Sequence, residues 1–217
     1  KHGDVIGKII SSNENIKLYD IQVFDENLRT TPLHIIGALT YLLDKKVDVI
    51  NMSLGLKTNY KEIEDLCKKL SSNGVTIISS FPRSGADFVF PASYDEVISV
   101  TSDGKCQENE ISCIDVKKLL FGANPFSKVE GVGGSSVAVA RFTKYFCEPS
   151  YSKVNSVPIG NSKMRAIAGS ISKIVPQSQM TMFFESAKNS SVSISERNLH
   201  PLSILFTLSS LKHHFNR

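Results

Sequence analysis

A strand that is apolar on both faces sets the tightest limit on what this chain can fold into. Residues 47–54 read VDVINMSL, with apolar side chains at neighbouring positions rather than in strict alternation. A strand with one wet face would alternate; this one needs cover on both sides, as in a sheet flanked by two helical layers. The flanking segments supply such helices. Residues 32–45 (PLHIIGALTYLLDK) begin with Pro32, a favoured first helical residue, and put Ile35, Leu39, Leu42 and Leu43 on one stripe. Residues 60–72 form a second amphipathic helix with Ile63, Leu66 and Leu70 inward and Gly74 past its end. Residues 16–24, 75–80 and 96–101 read as further strands, and a helix is expected over 136–147, entered from GVGG at 131–134.

Strands and helices in this order predict right-handed crossovers between parallel strands. The expected fold class is α/β, a three-layer parallel sheet with helices on both faces. That pattern covers residues 1–150. Residues 151–217 are richer in Ser and Asn and form a divergent segment with no assigned place in the layers; helical patches are expected at 162–174 and 201–212.

With 217 residues the chain has room for one domain and a tail. Its net charge of +4 is spread among both signs, which indicates neither a nucleic-acid nor a membrane surface. No apolar run reaches the roughly 20 residues that span a bilayer. The four cysteines form no CxxC pair, so a zinc site is not indicated. Buried or free thiols are one reading; a Cys106–Cys113 disulfide is compatible with export.

In open α/β sheets function gathers at the carboxyl ends of the strands. Three segments stand out there. KHGDVIGKII opens the chain with His2-Gly3, DVINMSLG at 48–55 ends a buried strand in Ser53-Leu54-Gly55, and GVGGSSVAVA at 131–140 feeds Ser136 into a helix. A serine hydroxyl needs a base and a donor set for the developing oxyanion; an imidazole can be base and then acid. A helix N-terminus behind Ser136 would offer a backbone N–H where negative charge develops.

Taken in order, these motifs resemble the subtilase family of serine proteases over residues 1–147. His2-Gly3 matches the family's HG motif, DVINMSLG matches word for word, and Gly134-Ser135-Ser136-Val137-Ala138 matches the nucleophile motif. The resemblance implies a serine endopeptidase with His2 and Ser136 as catalytic residues. It also implies that Ser53, Leu54 and Gly55 bind a peptide or protein substrate as an added strand, with Gly55 leaving room for a side chain. It implies a secreted or cell-surface location. Calcium binding is common in the family, but no loop here matches a site, so no cofactor is expected. The match has gaps. The family's Asp lies upstream of its His, and only Lys1 precedes His2; Arg83 stands where the oxyanion Asn is expected; Val5 replaces a second His, and Ala140 a Pro. The rival implication is a catalytically inactive peptide-binding or regulatory module. Two readings without the resemblance are Ser136 as a helix N-cap and GVGGSS as a phosphate loop; the latter lacks the Gly-Lys-Ser/Thr ending.

Overall fold

The chain is described by a computed structural model, which covers residues 2–12, 16–25, 27, 29–45, 47–83, 88–115, 118–147 and 205–209. Its helices are α1 (His2–Ser11), α2 (Pro32–Leu43), α3 (Lys61–Ser72) and α4 (Ser135–Phe146). Its strands are β1 (Leu18–Gln22), β2 (Val49–Met52), β3 (Thr76–Ser80), β4 (Val97–Ser102), β5 (Ile111–Asp115), β6 (Leu120–Ala123) and β7 (Leu205–Ser209). They form one seven-stranded sheet in the order β1-β7-β2-β3-β4-β6-β5. Every pairing is parallel except β5 on β6.

Neighbouring side chains on a strand point to opposite faces, and here each face meets a different helical layer. Val49, Ile78, Ile98, Val100 and Phe121 pack with Ile6 and Ile10 of α1 and with Val137, Phe142 and Phe146 of α4. Ile50, Met52, Ile77 and Val97 pack with Ile35, Leu39 and Leu42 of α2 and with Ile63 and Leu70 of α3. Both layers are closed, which is why all four residues of β2 are buried. The three-layer α/β architecture expected from the strand pattern is therefore the observed one.

Local signals explain the helix ends. Thr31 is the N-cap of α2, its hydroxyl accepting from the His34 N–H at 3.4 Å, with Pro32 next. Asn73 closes α3, followed by Gly74 at φ 89°. On the water side of α3, Lys61 pairs with Asp65, and Lys68 with Glu64, at the i,i+4 spacing.

Several expectations need correction. The first strand is shorter than residues 16–24, and α4 starts one residue earlier than residue 136. Residues 205–209, expected within a helical patch, form β7 between β1 and β2. The helical patch at 162–174 lies outside the described residues. Two strands went unrecognised, β5 and β6, the first held antiparallel at the sheet edge with a register shift between Cys113 and Asp115. Cys106, Cys113 and Cys147 are free thiols, so no Cys106–Cys113 disulfide forms. Among the described residues no helix is long and apolar enough to cross a membrane.

Candidate active site

β6 ends at Ala123, and the chain then turns through 124–134 into α4. Hydrogen bonds hold that turn in shape. Asn124 Oδ1 accepts from the Phe126 N–H at 2.9 Å, Pro125 O from the Gly134 N–H at 2.9 Å, and the Ser127 hydroxyl donates to Val132 O at 2.8 Å. Arg141, one layer down in α4, donates to Phe126 O at 2.6 Å and pairs with Glu108 at 2.9 Å. That pairing holds the Glu108 carboxyl below its usual range.

The N-cap of α4 is Gly134, at φ 80° and ψ −158°, with no side-chain cap. That backbone region is essentially restricted to glycine. Ser136 is consequently the second helical residue, which replaces the reading of Ser136 as N-cap. Helix geometry leaves the N–H groups of Ser135 and Ser136 without intrahelical carbonyls, so the positive end of α4 faces outward beside the Ser136 side chain. Ser136 is half-buried. Ser135 Oγ lies 3.3 Å from Ser102 Oγ, at the end of β4, which puts the start of α4 at the carboxyl edge of the sheet.

α1 packs against α4 in the same layer, through Ile6 and Ile10 against the Val137–Phe146 side of α4. It leads through residues 12–17 into the amino end of β1, so its own amino end points to the carboxyl edge. His2 is the first residue of α1. Burial lowers its pKa from 6.5. Near neutral pH the imidazole is thus held in the form that can accept a proton. Among the described residues no hydrogen bond joins His2 to the Ser136 hydroxyl.

Ser53 and Leu54 follow β2 at the same edge. Both are buried, whereas Gly55 is exposed. Leu54 O accepts from the Ser80 hydroxyl at 3.0 Å. Leu56 then pairs with Phe90 in an antiparallel bridge, with N–O distances of 2.7 and 2.9 Å. This brings Val89 over Gly55: a Cβ built on Gly55 would lie 2.6 Å from Val89 Cγ1. Arg83, in the loop after β3, is exposed. Among the described residues no group of three or more His, Cys, Asp or Glu side chains could hold a metal ion.

Sequence reasoning missed a buried polar link. Asn51 in β2 reaches Ser53 on one side and Thr143 of α4 on the other. A polar residue inside a strand apolar on both faces was the available signal, because a buried amide must find partners. The Gly134 conformation was signalled only by the glycines around it.

A three-layer α/β sheet with a serine in the first turn of a helix at its carboxyl edge, and a histidine opening a companion helix in the same layer, defines the class of subtilisin-like folds. The subtilase family profile matches residues 5–193, and the chain belongs to that family. It is 28% identical over 118 residues to the major intracellular serine protease of Bacillus subtilis (strain 168), covering 48% of this chain and 37% of that protein. It is 29% identical over 91 residues to subtilisin DY of Bacillus licheniformis, covering 40% and 33%. Among solved structures, Sphericase superposes with a TM-score of 0.50 at 16% identity, covering 68% of this chain and 57% of that one. The matched part therefore spans well under two thirds of each of these relatives.

Proposed function

We propose that the chain acts as a serine endopeptidase on extended peptide segments. Ser136 attacks the scissile carbonyl. His2 takes the serine proton as general base and returns it to the leaving amine as general acid. The backbone N–H of Ser136 holds the oxyanion. Residues Ser53, Leu54 and Gly55 receive the peptide as an added strand at the carboxyl edge. The observation that carries this reading is the placement of Ser136 in the first turn of α4, behind Gly134, in the layer that α1 shares.

One feature favours a second reading, a peptide-binding module without turnover. Arg83 is exposed where the family resemblance puts an oxyanion donor; loss of such a donor costs about 10²–10³ in turnover. Labelling with a fluorophosphonate probe separates the two. The enzyme reading expects labelling that Ser136→Ala abolishes; a folded sample that takes no label supports the binding module.

A further inference from the structure

Asn51 is fully buried in β2, among apolar neighbours. Both halves of its amide are engaged. Nδ2 donates to Ser53 Oγ at 3.2 Å, and Oδ1 accepts from Thr143 Oγ1 at 3.1 Å. The amide thus ties Ser53, at the end of β2, to Thr143 of α4, and because both partners are hydroxyls the tie holds in either sense of the amide. The two ends of the relay are both informative. Ser53 follows the last residue of β2 at the carboxyl edge, on the face that carries α1 and α4. Thr143 lies on α4 about two turns beyond Ser136, and so on the same side of the helix.

We propose that Asn51 is a positioning residue: through Thr143 and Ser53 it keeps the peptide-binding strand end in register with the helix bearing Ser136. The proposal rests on the reading of 53–55 as the peptide-binding edge. A relay of this kind suits a buried location. An amide with one half unpaired would be costly there, so both links hold the end of β2 against α4.

Thr143→Val keeps the shape of the side chain and removes the donor. The link from the end of β2 through Asn51 to α4 is then broken, and one half of the buried amide loses its partner. Two readouts on the full chain, each corrected for the folded fraction, test this. One is the affinity of fluorescein-labelled oxidised insulin B chain for the chain carrying Ser136→Ala. The other is the maximal rate of fluorophosphonate labelling in the chain that retains Ser136. Thr143→Val is expected to weaken B-chain binding about fivefold, the size of one net hydrogen bond, and Thr143→Ser to restore it. A lowered melting temperature with unchanged affinity overturns the proposal and leaves the hydrolase reading standing. So does failure of the B chain to bind at all in a chain that still takes the label. If the unsubstituted chain takes no label while Thr143→Val still weakens binding, the relay stands and the hydrolase reading falls.

Discussion

Replacing Gly134 by alanine should destabilise the fold, and replacing Gly37 by alanine should stabilise it, although the atoms added are identical. At neither position would the new Cβ meet another atom within 4 Å. Packing therefore cannot decide the sign, and only the backbone can. Gly134 caps α4 at φ 80° and ψ −158°, a region closed to side-chain-bearing residues at a cost of about 1–3 kcal/mol. Alanine also restricts the unfolded chain, which returns about 0.4–1 kcal/mol. The net loss expected is about 1–2 kcal/mol. Gly37 lies on the exposed side of α2, in helical conformation, where alanine is favoured by about 1 kcal/mol. The two variants should thus differ by about 2–3 kcal/mol, a sizeable part of the roughly 5–15 kcal/mol that holds a domain together. Urea titration followed by far-ultraviolet circular dichroism reads this as opposite shifts of the midpoint at constant slope. Gly134→Asn should not rescue the loss, because ψ −158° lies outside the left-handed region that asparagine tolerates. Midpoints that move in the same direction for Gly134→Ala and Gly37→Ala would refute the reasoning. The functional corollary is slower fluorophosphonate labelling of Ser136 in Gly134→Ala at full folding, with Gly37→Ala labelled as the unsubstituted chain is.

Three more expectations follow from the geometry. Burial holds His2 below 6.5, so the imidazole stays base-competent to lower pH and the acid limb of labelling should have its midpoint under 6.5; a midpoint above that value contradicts the placement. The same shift means that the unfolded chain takes up a proton first, so stability should be unaffected above pH 6.5 and fall as pH drops from there through the lowered value. Gly55→Ala drives a Cβ to 2.6 Å from the stiff Val89 side chain and should cost about 1–3 kcal/mol, with Val89→Ala in the same chain relieving much of it in a double-mutant cycle; strictly additive losses would show that the two do not touch. Phe121 is fully buried with its ring 5.0 Å from that of Phe142, so Phe121→Ala should lose about 3–5 kcal/mol by denaturant titration, and a loss under 1 kcal/mol would deny its place in the core.

The amino-acid sequence by itself determined the layers. Adjacent apolar residues such as Val49 and Ile50, or Ile77 and Ile78, require two covered faces whatever their partners are, and the stripes of α2 and α3 follow from local period alone. It also placed Ser136 at a helix start, because a run of glycines followed by helix-forming residues is a local signal. Tertiary structure decided what local signals leave open. Residues 205–209 are short and apolar enough to be helix or strand, and the paired edges of β1 and β2 made them a strand. The antiparallel turn of β5 at the edge, the contact of Val89 with Gly55 and the bond between Asn51 and Thr143 join residues far apart in the chain; that last pair is separated by 92 positions. Period and propensity act over a few residues, whereas a buried amide takes whichever partner the packed layers bring within hydrogen-bond reach.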